Sequence, residues 1–174
     1  MMTAGHYRST SEEEMPTKIA RRNLPQMFLK AREAMLRYFR PIITHFGLTE
    51  QQWRIIRVLS EREKLEPREI CDLCHILSPS LAGVLARMEQ TGLVSRQRMV
   101  QDQRRVLVEL TPKGEEIVRA MAPLIEEQYL YIEEALGADL IDQLHTVLDQ
   151  VAGAKCSRIR RVVLPAEGNM EEHG

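Results

Sequence analysis

No apolar run in the chain approaches the length of a membrane span, and the N-terminus lacks the apolar core of a secretory signal. A membrane protein is not expected, and the cytoplasm is the expected compartment. Cysteine is scarce: three in 174 residues, an odd number that suits a reducing environment better than a disulfide framework. The motifs of common catalysts are missing too. There is no nucleophile elbow, no phosphate-binding glycine loop and no His-Glu-x-x-His. The five histidines, His6, His45, His75, His145 and His173, form no ligand spacing. No enzymatic activity, metal or cofactor is expected. Cys71-Asp72-Leu73-Cys74-His75 matches the c-type haem attachment pattern, but no export signal accompanies it. Zinc needs about four ligands, and no second pair lies nearby. Small apolar buried cysteines fit the segment better. Cys156 falls in a tail, and redox sensing is not expected.

What is present is a sizeable core and a segregated charge. Hydrophobic residues make up 44% of the chain and charged residues 28%, with a formal net charge of -1. From Lys18 to Arg40 there are seven basic residues and one acidic, Glu33. From Glu115 to Asp149 there are nine acidic residues and one basic, Arg119. Between them, Arg96, Arg98, Arg104 and Arg105 stand against Asp102. A nearly neutral chain can thus present a basic surface to a polyanion.

Residues 1–17 are polar and read as a disordered tail. Pro25 suits a first helical turn, helical periodicity runs from Phe28 to Phe46, and Gly47 stops it; Pro41 should kink or shorten that helix. Thr49 and Gln52 predict a capping box on a second helix through Trp53, Ile56 and Leu59. Pro67 opens a short third helix. Ser78 as cap and Pro79 at the first position open a fourth, which Gly92 ends. The period then shifts to two over Leu93–Val100 and Arg105–Leu110, with Gln101–Arg104 as a hairpin tip. Thr111-Pro112 starts a long helix broken at Gly137. A last helix carries Leu140, Ile141, Leu144, Val147, Leu148 and Val151 in a near-heptad seam.

The predicted fold is mainly α: a winged helix-turn-helix with a two-stranded β wing and terminal dimerisation helices. The domain spans 18–154, with a DNA-binding lobe at about 48–114 and dimerisation helices at about 24–46 and 115–154. Residues 155–174 form a flexible basic-then-polar tail. The outer helices are too apolar for so small a domain to bury, so a symmetric homodimer is expected.

Three stretches carry a resemblance: Gly92-Leu93-Val94-Ser95-Arg96, Asp102-Gln103-Arg104-Arg105 and Val108-Glu109-Leu110-Thr111-Pro112-Lys113-Gly114. Together with Met88-Glu89 and Leu48-Thr49, they resemble the MarR family of bacterial regulators over roughly residues 22–152. Ala20-Arg21-Arg22-Asn23-Leu24-Pro25, Ala31-Arg32-Glu33-Ala34 and Ile76–Gly83 are similar to that family's repressors of homoprotocatechuate (4-hydroxyphenylacetate) operons. Many members have Thr-Arg where this chain has Ala82-Gly83, so one usual DNA contact is absent. The resemblance implies a pseudo-palindromic operator in double-stranded DNA, a repressor, and release by a small phenolic or aromatic carboxylic acid. Regulation of stress-response or drug-efflux genes is the alternative within the family. A helical protein–protein interaction module without DNA binding is the alternative outside it.

Within a recognition helix, Ser78, Ser80 and Gly83 belong to the turns that enter a major groove, and Arg87 reaches a phosphate or guanine edge. Ser78 could equally serve only as a cap, and Arg87 could pair with a glutamate. Arg104 at the wing tip suits a narrow minor groove, braced by Asp102. Arg96, Arg98 and Arg105 would hold flanking phosphates, with Arg68 a further phosphate candidate. For an effector acid, Arg22 could pair with a carboxylate or instead with phosphate. Asn23, Gln26 and His45 could bind a phenol hydroxyl, and Trp53 could stack on the ring or simply be core.

Overall fold

A computed structural model describes residues 19–98, 105–154 and 159–164. Asp102, Arg104, residues 1–18 and the C-terminal tail apart from residues 159–164 lie outside the described residues. The order is α1 (Leu24–His45), α2 (Glu50–Arg62), β1 (Lys64–Leu65), α3 (Pro67–Cys74), α4 (Ser78–Gln90), β2 (Val94–Arg98), β3 (Val106–Leu110), α5 (Pro112–Leu136) and α6 (Ala138–Gly153).

Local chemistry sets most boundaries. Asn23 caps α1, its side chain accepting from the Gln26 amide at 3.0 Å. Thr49 and Gln52 form the predicted capping box on α2, at 3.2 and 2.8 Å. The Thr111 hydroxyl accepts from the Gly114 amide at the start of α5. Gly47, Gly92 and Gly137 all have positive φ where helices end. Two expectations change. Ser78 is not the cap of α4: Leu77 holds that position, no side chain caps it, and Ser78 is the first helical residue. Pro41 does not shorten α1, because buried Phe39 and Ile43 hold the helix on either side of it. The two-stranded wing forms as expected, but its sheet gains a third strand, β1.

The sheet has the order β1-β3-β2, all antiparallel. β2 and β3 pair from Val94↔Leu110 to Arg98↔Val106, giving the predicted wing. The added β1 pairs Lys64 with Glu109 and Leu65 with Val108. A two-residue strand has no alternation to read in a sequence. It is fixed by burial of Leu65 and by the Lys64–Glu109 ion pair at 2.5 Å.

The core is continuous. Ile55, Ile56 and Leu59 of α2 pack with Ile70, Leu81, Val84, Met88, Val108 and Met121. α3 and α4 meet at 110°, the geometry of a helix-turn-helix. No single helix among the described residues is long and apolar enough to cross a membrane. The outer helices are under-packed: α6 buries only Ile141, while Leu140, Leu144, Val147, Leu148 and Val151 stay exposed.

Among the described glycines, Gly114 makes the closest approach to its neighbours. A Cβ there would lie 2.3 Å from the Leu93 carbonyl oxygen, a rigid backbone atom. Gly114→Ala should therefore lower stability by about 1–3 kcal/mol through overpacking. The urea unfolding midpoint checks this; an unchanged midpoint would mean that α5 shifts freely against the wing.

Candidate nucleic-acid interface and effector cavity

The recognition helix is two-faced. Leu81, Val84, Leu85 and Met88 anchor α4 in the core, while Ser78, Ser80, Ala82, Gly83 and Arg87 are exposed along the opposite side. Small side chains at 82 and 83 leave this face open for close approach of a backbone. A Cβ at Gly83 would meet only Arg87 Nη1, at 3.9 Å. Arg87 makes no ion pair among the described residues, and neither do Arg68 and Arg98.

The other predicted cations are already engaged. Arg96 pairs with Glu89 of α4, a hydrogen bond that holds the Glu89 carboxyl below the usual carboxylate range. Arg105 pairs with Glu66 at the start of α3. These contacts tie the wing to both helices of the motif. All four groups are at least partly exposed, so a phosphate can compete for either arginine. The structure thus places Arg68, Ser78, Ser80, Gly83, Arg87, Arg96, Arg98 and Arg105 on the surface of one lobe.

A second feature lies between α1, α2, α3, α5 and α6: a cavity of about 990 Å³. Phe28, Phe39, Trp53 and Tyr129 give it aromatic walls, and Arg32, Arg54 and Arg57, set against Glu50 and Glu133, leave its lining with a net positive charge. Phe39 and Tyr129 pack with centroids 4.8 Å apart and their rings tilted at 51°. Arg57 Nη1 donates to the Tyr129 hydroxyl at 3.4 Å, which with other contacts raises the Arg57 pKa. Of the five effector residues expected from sequence, only Trp53 lines this cavity. Arg22, Asn23 and Gln26 sit exposed at the start of α1, and Asn23 spends its oxygen on the cap. His45 stands edge-on to Phe46 at the far end of that helix.

Sequence reading missed Arg32, Arg54, Arg57 and Tyr129. A signal existed: Glu50, Trp53, Arg54 and Arg57 fall at i, i+3, i+4 and i+7 of α2, one stripe of a helix. Cys74 also lines the cavity; burial pushes its thiol up, and Cys71 is half-buried. Neither has a metal-binding neighbourhood among the described residues.

An exposed two-faced helix, an arginine-bearing wing and a separate charged cavity define a winged-helix transcription regulator. Comparison with known proteins bears this out. The MarR family profile matches residues 46–105. Over 130 residues the chain is 41% identical to the homoprotocatechuate degradative operon repressor of Escherichia coli, covering 75% of this chain and 88% of that one. The crystal structure of NadR in complex with 4-hydroxyphenylacetate matches at TM-score 0.70 and 38% identity, covering 81% of this chain and 100% of that one. The repressor CouR, bound to a 23-mer DNA duplex, matches at TM-score 0.68 and 25% identity, covering 74% and 92%. The chain belongs to the MarR family. It is a DNA-binding regulator rather than an enzyme, and the family acts as dimers.

Two outcomes test the local geometry. Gly83→Ala should raise stability by about 0.5–1 kcal/mol, because the added methyl meets only ordinary contact and a helical glycine is removed. A lower melting temperature would contradict it. In a Cys156→Ser background, one thiol (Cys71) should react quickly with a disulfide reagent at pH 8, and Cys74 only on unfolding.

Proposed function

We propose that this protein represses an aromatic-acid catabolic operon, for 4-hydroxyphenylacetate/homoprotocatechuate or a near analogue, and that a phenolic acid releases it from its operator. The observation that carries this reading is the cavity: aromatic walls for a ring and three arginines for a carboxylate. The named relative and the ligand-bound NadR structure support it. Trp53 is the proposed stacking residue, Tyr129 and His145 are within the same wall for a phenol hydroxyl, and the cationic role falls to Arg32, Arg54 and Arg57 rather than Arg22.

Each protomer would present α4 to a major groove and its wing to the adjacent minor groove, on an approximately palindromic operator. Arg87 would contact a base edge or phosphate. Arg68 and Arg98 would hold phosphates directly, while Arg96 and Arg105 would do so by leaving Glu89 and Glu66. Arg104, braced by Asp102, remains the proposed minor-groove residue. The acid would act by binding better to a dimer geometry whose recognition helices miss the operator spacing. Acting on chromosomal DNA, the protein would work in the cytoplasm. One observation favours the second reading, a stress-response or efflux regulator: the cavity lies near the upper end of the usual size range for ligand sites, roomy for a single ring.

Fluorescence anisotropy with operator and scrambled duplexes is the test, with and without 4-hydroxyphenylacetate. Selective, salt-weakened binding that the acid abolishes is the expected result. Selective binding untouched by the acid, but reversed by larger hydrophobic compounds, would favour the second reading. In the same assay Arg87→Ala should cost about 1–3 kcal/mol on the operator if it reads a base. Arg98→Ala should weaken both duplexes alike and reduce the salt slope by about one. Equal loss on both duplexes for Arg87→Ala would make it a phosphate contact.

A further inference from the structure

The cavity and the recognition helix share one short chain of charged groups. Arg32 of α1 pairs with Glu50 at the start of α2. Glu50 Oε1 also lies 4.0 Å from Arg54 Nε, too far for a hydrogen bond. Arg54 Nε is buried and has no hydrogen-bond partner among the described residues. The other end of that guanidinium is engaged: Arg54 Nη1 donates to the Cys74 carbonyl oxygen at 2.6 Å. Cys74 is the last residue of α3, followed by His75 at φ 49 and the turn into α4. Among the described residues this is the one side-chain hydrogen bond that reaches the turn. Arg32, Glu50, Arg54 and Cys74 all line the cavity.

One carboxylate is therefore shared unequally between two arginines. Glu50 satisfies Arg32 and leaves a buried N–H of Arg54 unmade, a costly arrangement in a partly desolvated site. An anion entering the cavity can replace Glu50 at the more exposed Arg32. Glu50 is then free to close on Arg54 Nε. Since the guanidinium is planar and rigid, a pull at Nε turns the Nη1 that grips Cys74. We propose that Glu50 exchanges partners between Arg32 and Arg54, and that this exchange carries the occupancy of the cavity to the helix-turn-helix. Arg54 is a positioning residue: it touches the turn, not the DNA. The inference rests on the proposed function only for the identity of the anion, since the exchange is a property of the protein's own side chains.

The first arm of the test needs neither operator nor effector. NMR spectra of the full chain report the Arg54 Nε–H signal and the His75, Ile76 and Leu77 amides. Arg32→Gln should mimic the bound anion by freeing Glu50. The Arg54 Nε–H should move downfield and exchange with water about tenfold more slowly, as a charge-assisted hydrogen bond forms. The turn amides should shift with it. In Arg32→Gln/Glu50→Gln both effects should disappear. Unchanged signals in Arg32→Gln would overturn the exchange. So would equal shifts in the single and double variants, because they would reflect only the loss of Arg32. Adding 4-hydroxyphenylacetate to the wild type should reproduce the Arg32→Gln shifts. If the variants behave as expected and this acid does nothing, the exchange stands and the effector reading fails.

Discussion

Everything in this protein hangs on the double duty of α2. Its Ile55, Ile56 and Leu59 are almost wholly buried, and the helix packs against α1, α3, α4, α5, β1 and β3. Its opposite stripe, Glu50, Trp53, Arg54 and Arg57, forms a wall of the cavity. A 13-residue helix has no freedom to serve the two sites separately. Because protein interiors are close-packed, a change at the cavity stripe is felt at the core stripe and so at α3 and α4. The cavity and the recognition helix are joined through one rigid element, and the proposed sensing would reach the DNA-binding face by that route.

The second constraint is what the single chain leaves uncovered. Leu24 and Leu29 of α1, Leu130 and Tyr131 of α5, and most of the apolar seam of α6 remain exposed. Such faces are expensive in water, and dimer formation in the family accounts for them. The same helices wall the cavity, since Leu24, Ile141, Leu144 and Leu148 line it. The cavity wall and the exposed apolar faces therefore share residues. A ligand can favour one disposition of the two lobes over another only through such shared contacts.

Much of the fold was legible because its boundaries are chemical punctuation. Thr49 with Gln52, Thr111 with Pro112, and the glycines at 47, 92 and 137 each fix a helix end through local hydrogen bonds or a positive φ. The wing was legible from the change to a period of two. What was not legible is non-local. β1 exists only because β3 arrives beside Leu65. The pairing of Arg96 with Glu89 and of Arg105 with Glu66 depends on how far the wing folds back, so both arginines read as free cations in sequence. The cavity was the least legible, because its wall draws on five helices. Trp53 stood out as the chain's single tryptophan, while Arg54 and Arg57 belong to no motif that sets them apart from other charges in the chain.

In the proposed mode of binding, two copies of this winged helix grip one DNA duplex with their recognition helices in successive major grooves. Hydroxyl-radical footprinting across the DNA upstream of the gene tests it most directly. The account predicts two protected half-sites on one face of the duplex, about 10 base pairs apart and related by an approximate dyad. Protection of a single half-site, or of two at a spacing unrelated to the helical repeat, would contradict it.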